Sequence, residues 1–135
     1  MGGCNGVTPV KVRISVATPD ADLDAVVWPG VEMVYLPRVE TPEQVGHADA
    51  VIVRFERLRG IRPRTVQIRP LIETPMGVSA ARAIARSSER VRAFGLGPQA
   101  RNSMEGDALA YARGECELIA RSRQIMPVDL EEVLD

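Results

Sequence analysis

One lysine, Lys11, and one histidine, His47, are all the chain offers of those two residues in 135 positions. A single imidazole leaves no multi-histidine zinc site and makes a histidine-based triad hard to assemble. Cys4 and Cys116, the only cysteines, form neither a Cys-x-x-Cys pair nor a metal-ligand spacing with His47. Two unclustered thiols fit a reducing, cytoplasmic setting. Aromatic residues make up only 4% against 45% apolar residues, so the core must be built of Val, Ile, Leu and Ala. That composition suits an α/β protein better than an all-β one. The net charge of −1 gives no electrostatic reason to bind nucleic acid or an anionic membrane. No apolar run approaches membrane length. The first residues lack a signal peptide's apolar stretch, and Gly6 stands where myristoylation would want Ser or Thr. Gly95-Leu96-Gly97 is too short for a dinucleotide fingerprint, and these glycines read instead as points where backbone and substrate approach closely.

What remains is an alternation of strand and helix patterns. Val10, Val12, Ile14 and Val16 alternate with Lys11, Arg13 and Ser15, which predicts a strand with Arg13 facing away from the apolar residues. A short helix opens at Thr18-Pro19-Asp20 and runs through Val26, and Trp28-Pro29-Gly30 forms a turn. A second strand is expected over 33–36. Thr41-Pro42-Glu43-Gln44 is a strong helix start, with a capping box and proline at the first helical position. Ala50 to Val53 looks strand-like alone, but the spacing of Val45, Ala48, Ile52 and Phe55 favours one helix, ended by Gly60 and Pro63. A third strand is expected over 66–72, a helix over 78–87, a fourth strand over 91–96, a last long helix with Leu109, Ala112, Cys116 and Ile119 inward, and a short strand over 125–128. Such alternation implies a parallel sheet.

The third strand is the most informative. Gln67 to Ile72 is apolar and runs straight into one carboxylate, Glu73, with Thr74 and Gly77 following. The carboxyl end of a buried strand is where α/β folds carry their chemistry. Flanked by Pro70, Leu71 and Ile72, the charge of Glu73 needs a cation or a hydrogen-bond donor. The alternative is a strand-end Glu that caps the next loop. Arg13 could contact a substrate or pair with a carboxylate such as Glu40. Arg54, Arg57, Arg59, Arg62, Arg64 and Arg69 form a basic stretch that reads first as a solvated helix face and loop, and second as a reach toward a CoA phosphate.

Four segments, in order, resemble the citrate lyase beta-subunit and malyl-CoA lyase branch of the HpcH/HpaI aldolases. They are Val12-Arg13-Ile14-Ser15, Tyr35-Leu36-Pro37-Arg38-Val39-Glu40-Thr41, Arg69-Pro70-Leu71-Ile72-Glu73-Thr74 and Phe94-Gly95-Leu96-Gly97. Tyr111-Ala112-Arg113 and the helix after it fit the same pattern. The resemblance implies a Mg²⁺-dependent carbon–carbon lyase or aldolase acting on a CoA thioester or short keto acid, in which a dication stabilises an enolate. It implies Glu73 as metal ligand, Arg13 and Glu73 as catalytic residues, and Arg13, Glu40 and Gly97 as substrate-binding residues.

Two departures qualify what is implied. The resemblance expects an Asp four residues into the loop Gly97-Pro98-Gln99-Ala100, and Ala100 is there instead. Neither Glu105 nor Asp107 sits at that position, so Mg²⁺ is expected to bind weakly. The fold implied is a (β/α)₈ TIM barrel of roughly 250 residues, whereas about five strands are expected here. The chain therefore reads as an irregular segment over 1–9 and part of a β/α barrel over 10–135. An open five-strand flavodoxin-like sheet is the alternative fold. A catalytically inactive, truncated relative serving as a binding or structural module is the alternative function. Open edges make a homo-oligomer the natural expectation.

Overall fold

The computed structural model describes residues 10–14 and 19–128. Five strands and six helices follow in order: β1 Val10–Arg13, α1 Pro19–Val26, β2 Val31–Leu36, α2 Pro42–Leu58, β3 Gln67–Ile72, α3 Pro75–Ser79, α4 Ala81–Ala85, β4 Ala93–Leu96, α5 Ala100–Ser103, α6 Gly106–Ser122 and β5 Met126–Val128. The expected irregular stretch over 1–9, Cys4, the end of the first strand at Val16, Thr18 and the acidic tail over 129–135 lie outside the described residues.

All pairings are parallel and the strand order is β1-β2-β3-β4-β5. This sequential order is that of a barrel segment. A flavodoxin-like sheet would place the first strand between the second and third, so that alternative is ruled out. Successive right-handed crossovers in one direction put every helix on the same side of the sheet. The packing agrees with that placement. Val34, Ile68, Ile72, Phe94 and Leu96 face the helices and join Leu23, Val45, Ile52, Ile84, Ala112 and Ile119 in one core. Met33, Tyr35 and Leu71 form a separate small cluster on the other, inner face. The sheet does not close, because β1 and β5 are not paired with each other.

Most elements form where the residue pattern expects them. Thr41 caps α2 with a full capping box, and Ala50 to Val53 lie inside that helix. The helix expected over 78–87 is instead two short ones. Thr74 caps α3 through the Gly77 N–H, with Pro75 at the first helical position, so the helix starts earlier, by the same device as Thr41-Pro42. It breaks at Ala80, whose N–H turns back to Met76 and Val78 carbonyls. The fourth strand is shorter than 91–96, since Val91 contributes only a bridge to Ile68. The helical turn α5 was not expected.

Charges not anticipated from the pattern gather at the amino-terminal rim of the sheet. Arg90, only 3% exposed, donates through Nε to Asp49 Oδ1 at 2.6 Å and through Nη1 and Nη2 to the two oxygens of Glu56 at 2.9 and 2.8 Å. Arg90 Nη1 also donates to the Val66 carbonyl at 3.0 Å, while the Arg64 and Val66 N–H groups donate to Glu56. Ser88 Oγ completes the cluster by donating to Asp49 at 2.6 Å. Burial opposes the charge on Glu56 and on Asp49. The hydrogen bonds, from Arg90 and backbone N–H groups to Glu56 and from Ser88 and Arg90 to Asp49, outweigh it and hold both carboxyls below their ordinary range. Removing one partner of such a buried cluster leaves an uncompensated charge, at a cost of roughly 3–5 kcal/mol. Arg90→Leu should therefore destabilise the protein by about that amount at pH 7 in urea denaturation. Because the folded carboxyls have depressed pKa values, their contribution is fully present above the ordinary carboxylate range and fades as pH falls through it. The gap between parent and Arg90→Leu should thus narrow from pH 7 to about 3, and an unchanging gap would refute the linkage.

Candidate active site

Arg13, Glu40 and Glu73 stand at or just past the carboxyl ends of β1, β2 and β3, at one rim of the sheet. Glu73 is the centre of this rim and only 1% exposed. Its Oε1 accepts the Arg38 N–H at 2.8 Å and its Oε2 accepts the Gln99 N–H at 2.8 Å. The Arg13 guanidinium, 40% exposed, lies 3.7 Å from Oε2. The side chain thus ties the loop after β2 to the loop after β4 and draws the end of β1 toward both. Its backbone carbonyl accepts Ser103 Oγ–H from α5 at 2.5 Å, so the unforeseen helical turn also belongs to this rim.

The loop after β2 is fixed to β3 residue by residue. Val39 N–H donates to the Leu71 carbonyl at 3.1 Å, next to the Arg38 bond to Glu73. Thr74 Oγ1 donates to Glu40 Oε2 at 2.8 Å. Glu40 N–H and Thr41 N–H both donate to Gln44 Oε1, at 2.6 and 3.0 Å. Arg38 adopts a left-handed backbone with φ of 53°. That conformation costs a non-glycine residue about 1–2 kcal/mol. The two consecutive N–H bonds that it brings to β3 offset this strain.

Two glycines make the close approaches possible. A Cβ on Gly77 would meet the Val39 carbonyl oxygen at 2.6 Å, and a Cβ on Gly97 would meet Cγ, Cδ and Oε2 of Glu73 at 2.7 Å. Gly97 N–H donates to the Ile72 carbonyl at 3.0 Å, continuing the β3–β4 ladder past its end. Gly97 therefore packs directly against the Glu73 side chain.

The donor set does not make a magnesium site on its own. Mg²⁺ demands near-octahedral oxygen ligands and surrenders its waters reluctantly. Here each oxygen of Glu73 already accepts a backbone N–H, a cation stands beside it, and Glu40 accepts from Thr74. Ala100 is fully buried as the first residue of α5. Among the described residues no group of three or more His, Cys, Asp or Glu could hold a metal ion.

The other candidate groups lie elsewhere. Of the basic stretch, Arg59 stacks on Trp28 and Phe55 with its Cζ 3.8 and 4.3 Å from the ring centres, and donates to the Asp24 and Val27 carbonyls. Arg64 pairs with Glu89, and Arg69 points to the inner face. The stretch therefore does not form one surface. Cys116 is buried in α6, and burial together with Glu115 pushes its thiol up to about 12, leaving it protonated and inert. Among the described residues no helix is long and apolar enough to cross a membrane.

With this geometry in hand, known proteins supply a frame. The sequence profile of the HpcH/HpaI aldolase/citrate lyase family matches residues 6–131. Citrate lyase subunit beta of Escherichia coli is 36% identical over 115 residues, covering 80% of this chain and 38% of that protein. The same subunit of Haemophilus influenzae is 32% identical over 115 residues, covering 80% of this chain and 40% of its own. The chain therefore spans less than half the length of these curated relatives. Among solved structures, a citrate lyase from Burkholderia xenovorans superposes with a TM-score of 0.73 at 16% identity, over 88% of this chain and 43% of that one. The CitE protein of Mycobacterium tuberculosis, in complex with magnesium and acetoacetate, gives 0.63 at 19% identity, over 91% and 50%. At these identities the structures establish the fold alone.

The enclosed contact between Gly97 and Glu73 generates a direct test. Gly97→Ala should cost about 1–3 kcal/mol, because the new methyl has no room beside a fully enclosed carboxylate. In a Glu73→Ala background the same substitution should cost much less, since the opposing atoms are gone. Urea denaturation of the four proteins measures the coupling. Additive costs would show that the two residues do not bear on each other.

Proposed function

Because the chain belongs to the HpcH/HpaI aldolase/citrate lyase family, we propose that its carboxyl-end rim binds the acid group of a short keto acid or acyl-CoA, as a binding module of the lyase type. The observation that carries this reading is the state of Glu73. Its two oxygens are taken by the Arg38 and Gln99 N–H groups, and its partner Arg13 stays 40% exposed. At 3.7 Å the Arg13 guanidinium is held near the carboxylate without a close hydrogen bond, leaving N–H donors free to face an incoming carboxylate or carbonyl oxygen. Glu73 then acts as the element that positions Arg13 and the two loops. Gly97 and Glu40 line the place where the acid arrives. This is the module reading, and we prefer it to a complete metal-dependent lyase because no second carboxylate is supplied at Ala100.

A second reading is favoured by the position of Glu73 at the strand end beside Arg13. In it, Mg²⁺ binds only together with the substrate, whose oxygens supply the ligands that the protein lacks. The two readings separate in calorimetry. The module reading expects acetoacetate to bind the parent equally with and without Mg²⁺, Mg²⁺ alone not to bind, and Arg13→Met to weaken acetoacetate at least tenfold. Acetoacetate binding that requires Mg²⁺ and is abolished in Glu73→Gln would replace it with the lyase reading.

We also propose a cytoplasmic homo-oligomer. Among the described residues β1 and β5 each present an unpaired edge, and exposed edges template association. Light scattering should show a dimer or larger species, and a monodisperse monomer with a cooperative melt would count against it.

A further inference from the structure

Among the described residues two arginines are more than nine-tenths buried, and they are treated in opposite ways. Arg90, at 3% exposure, meets two carboxylates and a carbonyl. Arg69, at 8% exposure, has one hydrogen bond, from Nη1 to the Tyr35 hydroxyl at 3.2 Å, and lies 5.4 Å from the centre of the Tyr35 ring. Its Nε is buried and has no partner. No carboxylate among the described residues pairs with it. A guanidinium carries five N–H donors and stays charged at any ordinary pH. Buried charges without a counter-ion are costly, and proteins pair them or leave them for a ligand.

The place of Arg69 in the sheet says where such a ligand would enter. The register puts Arg13, Tyr35 and Arg69 side by side across β1, β2 and β3, all on the inner face. Leu71, two residues on, belongs with Met33 and Tyr35 to the small apolar cluster of that face. The helices pack on the opposite side, so no helix covers this row. A charged fork beside a phenol hydroxyl, floored by apolar side chains, matches the planar two-oxygen geometry of a carboxylate.

We propose that Arg69 and the Tyr35 hydroxyl form a carboxylate-binding subsite on the inner face of the sheet, distinct from the Glu73 rim. The ligand class is a small organic carboxylic acid, and its carboxylate supplies the counter-ion that the described residues do not. The proposal does not depend on the reading of the rim. Neither Glu73 nor a metal takes part in it.

The test follows the melting temperature of the parent and of Arg69→Met while sodium succinate is titrated in. Sodium chloride at equal ionic strength and inorganic phosphate are run in parallel. The parent should gain stability saturably with succinate, more than with either control. Arg69→Met, freed of an unpaired buried charge, should melt higher than the parent without acid and should not respond to succinate. By calorimetry its succinate affinity should fall at least tenfold. Should Arg69→Met fail to fold, Arg69→Lys keeps the charge but loses the fork, and should bind succinate several-fold more weakly than the parent. The proposal is overturned by a parent that responds to succinate no more than to chloride or phosphate. Equal responses of parent and Arg69 variants would overturn it too. So would a parent stability that rises with protein concentration instead of with acid, since the counter-ion would then come from a second copy.

Discussion

The carboxyl-end rim depends on one buried carboxylate. Glu73 receives a backbone N–H on each oxygen, from loops that follow two different strands. Remove that acceptor and two part-buried N–H groups lose their partner, each at a cost of up to about 1–3 kcal/mol. The left-handed turn at Arg38, the absence of a side chain at Gly97 and the nearness of Arg13 all make sense as conditions for keeping the carboxylate in place. A side chain in this position could serve as a ligand. Here each of its oxygens already accepts one backbone N–H, and a half-exposed arginine stands beside it.

The molecule arranges its polar groups differently at its two rims. At the amino-terminal end of the strands, Arg90, Glu56, Asp49 and Ser88 satisfy one another almost completely. In barrels of this kind that end serves stability, and the carboxyl end serves binding. The contrast with Arg69 on the inner face is then informative. The chain has the means to neutralise a buried arginine fully, and does so at one place and not at the other.

Much of the architecture is legible in the residues. The capping box at Thr41, the alternation around Arg13 and the strand ending in Glu73 each rest on local physics that the sequence states outright. The early start of α3 was available from Thr74-Pro75, a repeat of the Thr41-Pro42 device, and was masked by the apolar spacing after Val78. The Arg90 cluster could not be read, because its members come from three separate segments and nothing in their local spacing links them. The same holds for the engagement of Glu73 by two backbone N–H groups, since main-chain donors carry no sequence signature. Its position at a strand end was visible; what its oxygens do was not. The burial of Arg69 was hidden by its place in a basic run, where an alternating strand turns it inward while Arg54, Arg57, Arg62 and Arg64 stay exposed.

The sequential order of the strands has a consequence for how the chain comes into being. Each strand pairs only with the one made just before it and the one made just after. No segment must wait for a distant partner, so the entropic cost of closing long loops is avoided and assembly can keep pace with synthesis. Folding of the first units therefore need not await the ribosome's later output.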